Sequence, residues 1–112
     1  MNIESLRDYC LSLPHVTEDI KWGADLCFSI GDKMFCVTSE HLPFKASLKV
    51  NDEEFEEMSQ RNGIKPAAYL ARYKWVLIQG DALSDKQWKH YISQSYELIK
   101  GKLPKKLQKE LA

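Results

Sequence analysis

Apolar residues recur three and four positions apart at the start of the chain, at Ile3, Leu6, Cys10 and Leu13. That period gives a helix one apolar stripe, with Asn2 as N-cap and Pro14 as stop. From residue 17 to 50 the period falls to two. Leu26, Phe28 and Ile30 alternate with Cys27 and Ser29, then Gly31-Asp32 marks a tight turn. Beyond it Phe35 and Val37 alternate with Met34, Cys36 and Thr38. The next segment is cleaner: Phe44, Ala46, Leu48 and Val50 share one face, Lys45, Ser47 and Lys49 the other. These segments predict an antiparallel meander with one wet face, and "DIKWG" adds a short strand before it.

Asn51 with Glu54 predicts a capping box opening a second helix, which Asn62-Gly63 ends. "YKWVLIQ" is apolar on both faces and predicts a central strand. Ser84 and Gln87 form a further capping box for a helix through Lys100, with Trp88, Tyr91, Ile92, Ser95 and Ile99 inward. A short tail helix follows Pro104, with Leu103, Leu107 and Leu111 inward and Lys105, Lys106 and Lys109 outward. Clustered strands flanked by helices predict an α+β two-layer sandwich, an antiparallel sheet packed against helices, in one domain over residues 1–112. Strands and helices do not alternate as a doubly wound nucleotide fold requires.

Length and composition fit a single globular core. No apolar run reaches the ~20 residues that cross a bilayer. "MNIESLRDYC" has neither a basic start nor an apolar run, so no secretion signal is expected and the cytoplasm is. Cys10, Cys27 and Cys36 are widely spaced among apolar neighbours, as reduced, buried thiols are. The formal charge is zero, but unevenly spread. Residues 1–60 carry five basic against twelve acidic side chains, and residues 61–112 eleven against four. Such asymmetry marks a candidate interaction surface.

The stretches "SLPHVTEDIKWG", "GDKMFCV", "GIKPAAYLARYKWVLI" and "SQSYELIKGKLPKK" stand in the order seen in the MmcQ/YjbR family of small bacterial proteins, which the whole chain resembles. The resemblance implies a helix–sheet sandwich similar to that of the frataxin/CyaY superfamily. It also implies a DNA-binding label tied to a proposed "double wing" shape, and no catalytic set.

The candidate chemistry is basic and aromatic. In "GIKPAAYLARYKWVLIQG", Lys65, Arg72 and Lys74 are interleaved with Tyr69, Tyr73 and Trp75. A helical turn after Pro66 would put Tyr69, Arg72 and Tyr73 on one face. Rings stack on bases and cations neutralise phosphates. The opposing reading packs Leu70, Tyr73 and Trp75 inside and leaves the cations solvated. Lys33, Lys45 and Lys49 lie on strands or turns, and Lys102, Lys105 and Lys106 crowd the tail. Each lysine alone reads as surface decoration, so a phosphate-binding surface requires them to converge in space. A second reading is a groove between sheet and helices lined by Trp22, Tyr69, Trp75 and Tyr96, suited to a small molecule or a protein partner.

The acids of "NDEEFEE" could hold a hard cation, but capping explains them and consecutive helical residues diverge. No metal, other cofactor or membrane partner is expected. His15, His41 and His90 lack metal-site spacing, and a Cys36–His41 pair lacks oxyanion donors and a helper base. The expectation is a non-enzymatic binding module that touches DNA weakly through phosphates.

Overall fold

A computed structural model describes residues 1–111. The helices are α1 (Ile3–Ser12), α2 (Asp52–Ser59), α3 (Asp85–Lys100) and α4 (Lys105–Glu110). The strands are β1 (Thr17–Lys21), β2 (Asp25–Ile30), β3 (Lys33–Ser39), β4 (Lys45–Lys49), β5 (Ile64–Pro66) and β6 (Trp75–Gln79). All neighbours pair antiparallel, in the order β1-β2-β3-β4-β6-β5. The α+β two-layer sandwich is therefore as the sequence pattern predicts, but its second sheet face is not uniformly wet: Cys27, Ser29, Lys49 and Trp75 are buried there.

Local chemistry explains most elements. Asn2 Oδ1 accepts from Ser5 N–H at 2.8 Å and Ser5 Oγ from Asn2 N–H at 2.9 Å, a complete capping box for α1. Ser84 and Gln87 do the same for α3. Gly31 and Asp32 both take positive φ, which reverses β2 into β3 with the twist a hairpin requires. A side chain at residue 31 would also strike Leu103 Cδ1 at 2.7 Å and Leu107 Cδ2 at 3.0 Å from its Cβ position, so α4 and the residues before it close on this turn.

Three expectations need correction. The strict alternation in β3 fails: the β2–β3 register shifts between Phe28 and Ser29, so Phe35 and Cys36 are both buried. That bulge seats Phe35 edge-on against Tyr96 of α3, ring centroids 5.4 Å apart. The box at α2 is half made. Asn51 Oδ1 accepts from Glu54 N–H at 3.1 Å, while the Glu54 carboxylate takes Tyr91 and Gln94 of α3 instead. Finally α2 ends at Ser59, ahead of Asn62-Gly63, and β5 follows as an unpredicted strand.

The helix-facing side of the sheet supplies Leu26, Phe28, Cys36, Ala46, Leu48, Val76 and Ile78, all buried with Leu6 and Cys10 of α1 and Trp88 and Ile92 of α3. Burying each leucine, isoleucine, valine or phenylalanine among them contributes about 1.5–3 kcal/mol. Trp88 Nε1 donates to Gly80 C=O at 3.0 Å, satisfying its buried polar tip. A hydrogen bond with Cys36, and then burial, pushes the Cys10 thiol far above its ordinary value, so it stays protonated.

Candidate functional site

The sheet ends in a small groove where β3 begins, β4 finishes and β6 begins. Ser95 of α3 builds it. The β3–β4 register would bring Phe35 opposite Lys49, but the ladder stops at Cys36–Leu48. The Ser95 hydroxyl fills the gap: it accepts from Lys49 N–H at 2.9 Å and donates to Phe35 C=O at 2.6 Å. Ser95 is fully buried, so it ties the end of β4 to the helix layer. Leu70 and Tyr73 arrive from the loop between β5 and β6, where Ala71–Tyr73 forms a 3-10 turn closed by Lys74 at φ 67°.

The resulting groove, of about 430 Å³, has an apolar wall of Met34, Leu70, Trp75 and Ile99. Lys33, Lys49, Lys102 and Tyr73 complete it, and no carboxylate among the described residues lines it. Lys49 is only 6% exposed, and its ammonium donates to the Tyr73 carbonyl. Burial pushes Lys49 below the ordinary lysine value, and the cations of Lys102 and Lys74 push the same way, against Asp52. The described residues contain three ion pairs, Met1–Asp85, Arg7–Glu18 and Arg61–Glu57, and none uses a groove lysine.

Of the ten cationic and aromatic candidates, the structure gathers Lys33, Lys49 and Lys102 in the groove, with Lys74 close enough to act on Lys49. The Lys74 ammonium sits 5.1 Å from the Phe55 ring centre and Arg72 lies 5.0 Å over Tyr73, the half-exposed ring of the groove. Tyr69 is 97% exposed beside this loop. Its positive φ takes it out of the helical turn that would have set it on one face with Arg72 and Tyr73. Lys105 and Lys106 are exposed on α4 and reach the same end of the molecule only through Leu103 and Leu107, which cover Gly31. Lys45 starts β4, opposite Gln79, at the far end of the strand. Lys65 projects from β5, opposite Leu77.

The four aromatic rings of the second reading do not meet. Tyr96 is buried in the core, its hydroxyl donating to Pro14 C=O at 2.8 Å, and Trp22 is 70% exposed at the turn after β1. Only Trp75 joins the groove. The interface between sheet and helices is filled by side chains, so no aromatic cleft opens there. Met34 had no signal marking it as a groove wall; for Ile99 the one clue is that it ends the inner stripe of α3.

Two of the acids of α2, Glu54 and Glu57, are already paired. Burial pushes Glu54 up, but hydrogen bonds from Gln94, Tyr91 and Asn51 outweigh it and hold the carboxyl below its ordinary value. Glu57 takes Arg61 at 2.9 Å. Among the described residues no three His, Cys, Asp or Glu side chains gather to hold a metal ion. No helix among them is long and apolar enough to cross a membrane. Cys36 lies in the core beside Cys10, and His41 is exposed in the loop after β3.

The comparisons agree with this architecture. The crystal structure of Deinococcus radiodurans protein DR2400, with domain DUF419, superposes with a TM-score of 0.89 at 29% identity, covering 98% of this chain and 87% of that one. A Pseudomonas syringae protein superposes at 0.74 and 21% identity, covering 88% of this chain and 99% of that one, which speaks for the fold alone. No curated protein matches the sequence. The YjbR family model matches residues 11–98, which include Lys33, Lys49, Tyr73, Trp75 and the Ser95 that links β4 to α3. A match over most of the chain, together with the shared fold, makes this protein a member of the YjbR family.

Proposed function

We propose that the chain is a non-enzymatic, cytoplasmic binding module that holds DNA by its phosphates in the lysine-lined groove, with a base against Tyr73. One observation carries the reading: Lys33, Lys49 and Lys102 share a groove that no carboxylate among the described residues lines. Like charges held together, one of them nearly buried, cost free energy that an anion would relieve. The groove is small and Tyr73 and Tyr69 are open beside it, which favours a flexible single strand over a duplex. Three neutralised phosphates give a log–log salt slope of about −2 for single strands, so binding is weak and fades at physiological salt.

The apolar wall of the groove also supports a second reading, a free nucleotide or other small phosphate compound seated against Trp75. Fluorescence anisotropy with labelled single-stranded and duplex oligonucleotides at low salt tests both. The expected result is tighter binding of the single strand, lost in Lys49→Met/Lys102→Met. Displacement of the strand by equimolar mononucleotide would favour the second reading. No binding of strand or nucleotide would overturn both.

A further inference from the structure

The other end of the sheet carries a different surface. β1 is an edge strand, with β2 on one side only. Hydrogen-bond alternation, counted across the ladders from the Val50 N–H to Lys74 C=O bond, gives the odd residues of β1 to β2. The backbone groups of Glu18 and Ile20 therefore point outward. Ile20 N–H, with no strand beside it, turns to Asp19 Oδ1 at 2.9 Å. The opposite edge is blunted, since β5 is three residues long and Pro66 has no N–H. β1 is five residues long without proline, and Ile20 is 63% and Trp22 70% exposed. Against β1 lies a groove of about 540 Å³ with Ile3, Ile20 and Leu26 in its wall and Glu4, Arg7 and Glu18 among its polar residues.

We propose that this edge pairs with β1 of a second copy of the chain, antiparallel about a two-fold axis, with Ile20 opposite Ile20 of the copy. Charge selects both the occupant and the register. A two-fold centred on Glu18 or on Asp19 sets identical acids opposite each other, and one centred on Lys21 sets two lysines together; like charges directly opposite are destabilising. Centred on Ile20, the same strand sets Asp19 opposite Lys21 twice. It also makes Ile20 a hydrogen-bonded pair, so each Ile20 N–H leaves Asp19 for the carbonyl of the copy, and each Asp19 takes a lysine in exchange. Trp22 of each copy, at the turn just past β1, then lies next to the Glu18 end of the other strand, near the Ile3–Leu26 groove. There its ring can cover apolar surface, and Glu4 offers an acceptor to its indole N–H.

Sedimentation velocity over a roughly hundredfold range of protein concentration at low salt tests the pairing, because dimer formation follows mass action. Wild type is expected to shift from monomer to dimer. Asp19→Lys and Lys21→Asp are each expected to weaken the dimer roughly tenfold or more by setting like charges together. The double exchange restores it, and Trp22→Ala weakens it without touching the charges. Circular dichroism checks that each variant stays folded. A monomer throughout, a dimer indifferent to the single exchanges, or a double exchange no better than the singles overturns the proposal.

Discussion

Two charged regions of this protein handle charge in opposite ways. On α2 each inward acid has its donors: Glu54 receives Tyr91 and Gln94, and Asn51 caps the helix whose positive end Asp52 and Glu53 face. At the end of the sheet, Lys33, Lys49 and Lys102 share a groove with no carboxylate among its described lining residues. The acidic cluster is the denser of the two in the sequence, yet its inward member, Glu54, is satisfied. Charge density along a chain therefore says little about binding. What counts is whether the fold has already supplied the partner.

The contrast can be broken at the residue that holds the groove open. Ser95→Ala leaves Lys49 N–H and Phe35 C=O buried and unpaired, which is expected to lower stability by about 2–4 kcal/mol in urea denaturation. Ser95→Thr retains the hydroxyl and is expected to recover part of that loss. Next in size is Glu54→Ala, which orphans Tyr91 Oη and Gln94 Nε2 and is expected to cost about 1–2 kcal/mol. Lys49→Met behaves oppositely. It removes a buried charge, so stability is expected to hold or rise, while oligonucleotide affinity falls roughly tenfold. Lys45→Met and Lys65→Met are controls, expected to leave stability and affinity within error, because both sit away from the groove.

The same contrast has a pH signature. The Glu54 carboxyl is held below its ordinary value of 4.5, so its contribution is present above that pH and is lost as pH falls through the lower folded value. Glu54→Gln is expected to flatten this acid limb of a stability-against-pH curve. Lys49 is lowered from 10.5, so the unfolded chain binds the extra proton in the window just below that value. Stability then rises with pH across the window, and the advantage of Lys49→Met shrinks as the groove ammonium deprotonates. Strand binding weakens over the same range, before ordinary lysines titrate.

Periodicity made most of the fold legible. The stripes of α1 and α3, the Asn2 N-cap, the Ser84–Gln87 capping box and the β4 alternation all stand as the spacing of residues predicts. The bulge at Phe35 and the strand at Ile64–Pro66 were not legible, because each depends on a distant partner: Ser95 and Tyr96 for the one, β6 for the other. The site was legible in its residue types and illegible in its membership. Lys45 and Lys49 share a sheet face by alternation, yet four residues separate them by about 13 Å along the strand. Only Lys49 reaches the groove. The aromatic candidates failed for a related reason: sequence distinguishes neither a ring with a buried hydroxyl partner, as in Tyr96, nor one stranded on a turn, as in Trp22.

The central claim is that one end of the sheet holds cations kept free for an anion. An NMR titration of the lysine side-chain signals with a short single-stranded oligonucleotide reads it most directly. Lys33, Lys49 and Lys102 are expected to shift together and saturate at one midpoint, with Lys45 unmoved. Equal, unsaturable drift of every lysine, or no movement at Lys49, would contradict it.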